Sequence, residues 1–324
     1  MPVATCYLCR MSPEPGEATR TLKNLLDGLG TVIKGKEGVL RLLVATMVAR
    51  GHALIEDAPG LGKTTLARTL AALIDSSRFR RIQFTPDLMP YDITGVDVYD
   101  PQRTEFVFRP GPIFANVVLA DEINRSTPKV QSALLEVMAE GQVTVGNATH
   151  VLGALFFVIG TQNPIEIEGT YPLPLAQVDR FMTRLRLGYP DEETELAIVR
   201  GDPSHRVMPS LRPVCTMDEL LLAQASAEAV HCADELTSAA VRVCRESREH
   251  PGVEYGASPR GALMLVAAAR AHALVAERDY CTDDDFLLLA PVVLAHRLKL
   301  RDHRLDAEEL TRELMVQELE KLDY

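Results

Sequence analysis

One stretch of the chain has glycines, a lysine and threonines in an order suited to binding phosphate. The apolar pair Leu54-Ile55 leads through Pro59-Gly60-Leu61-Gly62 to Lys63-Thr64-Thr65, where an amphipathic pattern predicts the start of a helix. Glycines let backbone N–H groups close around phosphate oxygens, and a helix N-terminus adds further donors. We expect Lys63 to contact the β- and γ-phosphates and the Thr64 hydroxyl to bind Mg²⁺.

The stretch departs from the strict phosphate-loop pattern at one position, because Asp57 stands where that pattern has its first glycine. The plain alternative is a Gly/Pro turn followed by a helix that carries a solvated lysine. Polar residues elsewhere in the chain must decide between these two interpretations.

Two adjacent carboxylates, Asp121 and Glu122, follow the continuous apolar run at 117–120. Such a run predicts a strand covered on both faces, and open α/β sheets bind ligands at the carboxyl ends of their strands. Asp121 is placed to hold Mg²⁺ through water, and Glu122 is placed to orient or deprotonate an attacking water. The alternative is that the pair only caps the next helix. Together with a phosphate loop, the pair predicts a site of nucleotide hydrolysis.

Three further polar residues are candidates for the same site. Asn163 follows another apolar strand pattern, where it can hydrogen-bond a water or a γ-phosphate, although an Asn-Pro pair also begins ordinary turns. Arg180 and Arg260 can equally form surface ion pairs. Arg260 falls in the first turn of a predicted helix, however, and that end of a helix disfavours cations. A nearby anion such as a γ-phosphate would offset this cost.

Strand and helix patterns alternate up to about residue 189, which predicts a parallel α/β sheet. Within this region, β-hairpins are predicted at 96–108 and 142–151. After residue 190 the strand patterns stop and helical patterns follow as far as 322. The sequence therefore predicts a disordered tail over 1–20, an α/β domain over 21–189 and a smaller all-helical domain over 190–324.

The composition is that of an acidic globular protein, with 324 residues, 47% of them hydrophobic, and a net charge of −11. No window has the ~20 apolar residues of a membrane span, and the N-terminus has no signal-peptide core, so we expect a cytoplasmic protein. The acidic charge argues against a broad nucleic-acid surface. Cys6 and Cys9 have metal-ligand spacing, but no second pair completes a zinc site. The basic run at 296–301 is expected to be a solvated helix end.

Taken together, these motifs resemble the MoxR family of AAA+ ATPases. The matching stretches cover about residues 30 to 300 in the family's order: 56–65, 83–87, 108–116, 119–125, 160–164, 169–174, 176–181 and 256–260. The resemblance implies an α/β fold of the AAA+ P-loop type, a parallel sheet domain with a helix-2-insert hairpin and a pre-sensor-1 hairpin. A smaller all-α lid domain would follow it.

The resemblance also implies a role for each candidate residue. Lys63 and Thr64 match Walker A, Asp121 and Glu122 match Walker B, Asn163 matches sensor 1, and Arg260 matches sensor 2. Arg180 matches the arginine finger, which in AAA+ rings reaches into the neighbouring subunit's site. The segment from Ile33 to Gly35 lies where such proteins hold adenine. Leu175 and Gly141 depart from the family, which usually has glutamate and a basic or bulkier residue there.

The resemblance implies an enzyme that hydrolyses ATP with Mg²⁺ in a homo-oligomeric ring, which we expect to be a hexamer. Such a ring would remodel partner proteins in a chaperone-like way, often proteins with von Willebrand A domains. Two other functions stay open at this point, a metal-chelatase motor subunit and a DNA-dependent ATPase. The acidic charge argues against the second, and Glu122 argues against a nucleotide-gated scaffold without turnover.

Overall fold

The computed structural model describes residues 15–163, 170–302 and 304–322. Cys6 and Cys9, and the motif residues Pro164 and Gly169, lie outside the described residues. Up to residue 185 the chain forms these elements: α1 Pro15–Val32, α2 Glu37–Val48, β1 Ala53–Glu56, α3 Lys63–Ala72, β2 Phe79–Gln83, α4 Pro90–Thr94, β3 Gly95–Asp100, β4 Glu105–Pro110, β5 Val117–Asp121, α5 Pro128–Glu140, β6 Gln142–Val145, β7 Ala148–Val151, β8 Phe157–Gln162, α6 Leu175–Val178 and β9 Thr183–Leu185.

The rest of the chain is mainly helical. Its elements are α7 Glu192–Gly201, α8 Pro203–Arg206, α9 Met217–Ala229, α10 Asp234–Glu249, β10 Val253–Tyr255, α11 Pro259–Val275, α12 Asp283–Leu294, β11 Lys299–Leu300 and α13 Ala307–Leu319. None of the helices in the described part of the chain is long and apolar enough to cross a membrane.

The central sheet has five parallel strands in the order β2-β5-β8-β1-β9. Every residue of β5 is buried, as expected for a strand with neighbours on both sides and helices over both faces. Because the strands are parallel, their carboxyl ends meet at one edge of the sheet. That edge brings together the segments that follow β1, β5 and β8.

The apolar side chains of the sheet alternate between two layers of core. Leu54, Val118 and Val158 pack with α5 on one face. Ile55 and Leu119 pack on the other face, in a cluster that also contains the apolar sides of α1, α2, α3 and the helices after residue 190. The predicted domain boundary near 190 falls between β9 and α7, but the hydrophobic core continues across it.

Both predicted hairpins are confirmed. The hairpins form as β3–β4 and β6–β7, each antiparallel. Helix α9 begins with a capping box in which Thr216 and Glu219 bond reciprocally.

Two predictions need correction, one about the disordered tail and one about the all-helical domain. Residues 15–20 are helical rather than disordered, because the apolar spacing of α1 extends back to Ala18, which is buried. The region after 190 is not purely helical, since β10 and β11 pair as a short antiparallel ribbon.

The basic run at 296–301 is also not a simple solvated helix end. Helix α12 ends at Leu294, and His296 and Arg297 that follow are both buried. Their partners lie in the segment before β9, so this run joins the helical region to the α/β region.

Candidate functional site

The turn between β1 and α3 has the backbone of a phosphate-binding loop. Gly60 and Gly62 have φ angles of +86° and +83°, in the left-handed region that favours glycine. Gly62 is also the N-cap of α3, and no side chain caps this helix end. The first N–H groups of α3 therefore point out of the helix with no side-chain acceptor among the residues that the structure describes, as an anion site requires.

Lys63 folds its side chain back over this turn. Its Nζ donates to the carbonyl oxygens of Asp57 at 2.7 Å and Ala58 at 3.1 Å. Partial burial lowers the pKa of Lys63, while the carboxylates of Asp57, Asp121 and Glu122 act in the opposite direction. The ammonium is thus held between the loop and the acidic residues that follow β5.

The hydrogen bonds of Asp57 account for the aspartate that stands where the strict loop pattern has glycine. Its carboxylate is buried and accepts hydrogen bonds from the backbone N–H groups of Leu187 and Gly188. A glycine could not make these bonds. Asp57 therefore ties the phosphate loop to the segment that leads from β9 to α7.

Asp121 lies at the end of β5 between the two neighbouring strands. The Thr161 hydroxyl, from β8, donates to Asp121 Oδ1 at 2.6 Å. Arg81, from β2, donates to Asp121 Oδ2 through Nη2 at 2.6 Å and Nε at 3.0 Å. The sequence patterns did not identify either partner, because both become neighbours only through the strand order β2-β5-β8.

Glu122 has a backbone conformation that few non-glycine residues adopt, with φ +56° and ψ +52°. Its N–H donates to the Thr161 hydroxyl at 2.8 Å. Its side-chain Oε2 accepts from Gln83 Nε2 at 2.7 Å and from Arg125 Nη1 at 3.1 Å. Left-handed backbone at a charged residue costs about 1–3 kcal/mol and often occurs at functional sites.

These groups surround one cavity of about 370 Å³ at the carboxyl edge of the sheet. Most of the residues predicted from sequence line it: Pro59, Gly60, Gly62, Lys63, Thr64, Thr65, Asp121, Glu122 and Asn163. Arg81, Thr161 and Gln162 complete the lining. The donor set fits Mg²⁺ bound to a phosphate chain, because Thr64 and Asp121 supply oxygens while the loop and Lys63 supply donors for phosphate.

A second cavity, of about 390 Å³, adjoins the other side of the phosphate loop. Ile33 and Leu61 line it, together with Tyr189 and with Ile198 and Val199 from α7. This is where sequence placed the adenine segment. Gly35 does not line the cavity, but a Cβ there would lie 3.0 Å from two side-chain atoms of Thr194, so this glycine lets α7 pack closely.

Arg180 and Arg260 do not line either cavity. Arg180 is half-buried, and its Nη1 donates to the Leu135 carbonyl at 2.9 Å. Arg260 is exposed at the start of α11, close enough to Arg297 for its charge to help lower the pKa of Arg297. The structure therefore places Arg260 outside the cavity that Lys63 and Asp121 line.

Arg297 connects these two arginines. It is buried, its Nε lies 2.9 Å from Asp179 Oδ1, and its Nη2 donates to the Phe181 carbonyl at 2.7 Å. A Cβ at Gly261, beside Arg260, would lie 3.3 Å from Arg297 Cδ. Burial lowers the pKa of Arg297 to about 10, so the side chain stays cationic at neutral pH. Arg297 thus holds the Asp179–Arg180 segment and the start of α11 on one side of the molecule.

Comparison with protein families gives two matches along the chain. Residues 52–183 match the family described as ATPase family associated with various cellular activities (AAA). Residues 245–318 match the AAA lid domain.

Curated relatives match over nearly the whole chain. An uncharacterized Bacillus subtilis protein, YeaC, is 45% identical over 91% of this chain and 93% of its own. Chaperone MoxR1 of Mycobacterium tuberculosis is 40% identical over 91% of this chain and 80% of its own. Protein MoxR of Methylorubrum extorquens is 29% identical over 84% of this chain and 85% of its own.

A solved structure shows the same fold. The crystal structure of an ATPase candidate from Cytophaga hutchinsonii has a TM-score of 0.85 and 37% sequence identity, and the match covers 95% of this chain and 96% of that one.

Proposed function

The chain belongs to the MoxR family of AAA+ ATPases, and we propose that it hydrolyses ATP with Mg²⁺ at the cavity between the phosphate loop and the β5 carboxylates. The observation that carries this proposal is the convergence of Lys63, Asp121 and Glu122 on one cavity beside an uncapped helix N-terminus.

Each residue of the cavity has a separate task in this reaction. The loop N–H groups and Lys63 bind the β- and γ-phosphates, and the adenine lies in the second cavity beside Ile33. Thr64 and Asp121 would hold Mg²⁺, which when bound would neutralise charge on the phosphate oxygens. Asn163 contacts the water or the γ-phosphate.

Glu122 orients the attacking water and accepts its proton as the water oxygen bonds to the γ-phosphorus and the bond to the β-phosphate breaks. The Gln83 amide and the Arg125 guanidinium fix the position of this carboxylate. The two adjacent carboxylates have separate hydrogen-bond partners, so Asp121 and Glu122 can perform different steps.

Arg180 and Arg260 act on the ATP of a neighbouring copy. Support for this comes from their position: both lie outside the cavities of their own chain, and Arg297 holds their segments on the same side. A head-to-tail ring, such as a hexamer, would bring that side to the next copy's cavity. An arginine supplied in this way is typically worth ~10³–10⁵ in rate.

The ring remodels partner proteins, of which proteins with von Willebrand A domains are the expected class. The β3–β4 hairpin offers a contact surface for them, since Tyr99 and Phe106 are exposed and stack edge to face at 5.4 Å. Exposed aromatic pairs of this kind are common in protein interfaces.

The test uses wild type and Glu122→Gln in an ATP turnover assay with Mg²⁺. Wild type should release phosphate, whereas Glu122→Gln should bind ATP with similar affinity and lose turnover, because the amide keeps the shape but cannot take the proton. The trapped variant is then the bait for partner capture. Turnover by Glu122→Gln at the wild-type rate would show that Glu122 only caps the helical turn after β5.

A further inference from the structure

The helical region has an apolar groove that the proposed ATPase chemistry does not use. The groove has a volume of about 590 Å³ and lies between α10 and α11. Its floor and walls are apolar, with Val241, Leu263 and Val266 among them, and Leu263 is 72% exposed. A concave apolar surface that contains a largely exposed leucine can accommodate an apolar side of another helix.

All charged residues that line this groove are arginines: Arg245, Arg248 and Arg270. None of them forms an ion pair within the described part of the chain. The Nε of Arg270 is buried and has no hydrogen-bond partner there. The groove is therefore an apolar slot with a cationic rim, suited to an acidic, amphipathic helix.

Helix α7 of the same protein has that character. It buries none of its own residues, and its first turn carries Glu192, Glu193 and Glu195. These glutamates also form no ion pairs among the described residues. Glu192, Leu196 and Val199 stand at i, i+4 and i+7, so they share one face of the helix, and Leu196 and Val199 are 45% and 74% exposed.

We propose that α7 of one copy docks into the α10–α11 groove of the next copy. Leu196 and Val199 fill the apolar slot, and the first-turn glutamates pair with the groove arginines. This is the helix-in-groove mode of recognition, with apolar anchors at i, i+3 spacing and complementary charge at the rim. The two surfaces lie on different elements, so the contact is head-to-tail and generates a ring or an open filament.

The position of both surfaces relates this contact to the nucleotide site. Val199 of α7 also lines the second cavity, beside the phosphate loop. Pro259 lines the groove and immediately precedes Arg260. Docking α7 into the groove therefore brings the neighbour's Arg260 towards the nucleotide of the copy that supplies α7. This inference rests on the proposed function and names the contact that assembles it.

The test compares three single variants by sedimentation velocity with ATP and Mg²⁺. Leu196→Asp and Leu263→Asp should each weaken self-association at least tenfold, because each places a carboxylate in the apolar contact. Leu288→Asp is the matched control: Leu288 lies on α12, outside the groove, and is 46% exposed against 45% for Leu196. It should assemble like wild type. All three should keep the thermal stabilisation by ATP, which shows that they are folded.

Mixing the two interface variants gives a sharper result. The Leu196→Asp copy keeps a native groove and the Leu263→Asp copy keeps a native α7, so the equimolar mixture should form a dimer that cannot grow. Normal assembly of either variant alone, or the absence of this dimer, would overturn the α7–groove contact. The proposed function would still hold in that case if wild type assembles and hydrolyses ATP. A wild type that neither assembles nor hydrolyses ATP would overturn both.

Discussion

At the scale of single residues, the site depends on neighbours that are far apart in sequence. Asp121 is held by Arg81 from one adjacent strand and Thr161 from the other. Glu122 is held by Gln83, and Asp57 by the backbone of residues 187 and 188. Sequence spacing identified the lysine and both carboxylates because they occur in local motifs. It could not identify their partners, which depend on strand order.

Lys63 is the residue whose loss should abolish nucleotide binding. Among the described residues, no other cation lines the loop side of the cavity, and Arg81 is engaged by Asp121. With Mg-ATP at a hundredfold excess over Kd, wild type should gain about 2.7 kcal/mol of stability, whereas Lys63→Ala should gain none. The measurement is thermal unfolding with and without Mg-ATP. An equal gain in both proteins would contradict the assignment of the phosphate loop.

At the scale of elements, the sequence predicted most of the fold because most elements carry strong local signals. Helix α5, for example, has a proline at its first position and a left-handed glycine directly after its end. The burial of Arg297 had no such signal. A basic run after an apolar helix normally indicates a solvated end, and only the contact with Asp179 and Phe181 makes burial favourable here.

Strand β1 begins next to a buried histidine that gives the fold a pH dependence. His52 Nδ1 accepts the Val158 N–H at 3.1 Å and Nε2 donates to the Met138 carbonyl at 3.2 Å, so the ring is neutral. Burial lowers the pKa of His52 to about 4, against 6.5 for an exposed histidine. Between these values the unfolded chain takes up a proton that the folded chain does not. The neutral buried ring therefore stabilises the fold fully above pH 6.5, and the free energy of unfolding decreases as the pH falls from 6.5 towards 4.

Between pH 7 and pH 5, protonation of His52 in the unfolded chain should therefore lower the free energy of unfolding by about 2 kcal/mol. Urea titrations at both pH values measure the loss, and His52→Gln is the comparison because an amide does not titrate. The variant should lose less stability over this interval than wild type. Buried His296, whose pKa is also lowered, makes the stability of both proteins depend on pH, so the variant should still lose some stability. Identical slopes would show that His52 is not buried as a neutral ring.

At the scale of the whole molecule, one cavity brings together the groups that we propose bind Mg-ATP, but the two motif arginines lie outside it. Arg180 donates to α5, and Arg260 begins α11 beside Arg297. The resemblance to the family implied catalytic roles for both arginines, yet a linear motif cannot say which chain's cavity an arginine serves. Their position outside the cavity is the reason for proposing an active site that is completed between copies.

The most direct test of this shared site is the ATP turnover of two inactive variants before and after mixing. Arg180→Ala should hydrolyse ATP ~10³-fold or more slowly than wild type, since it lacks the arginine finger, and Lys63→Ala should not bind ATP. In a mixed ring, an Arg180→Ala copy offers an intact cavity and a Lys63→Ala neighbour offers an intact Arg180. Turnover should therefore return in part on mixing, with co-assembly verified by mass photometry. Mixed rings that hydrolyse no more ATP than the separate variants would contradict a shared site and assign Arg180 to its own chain.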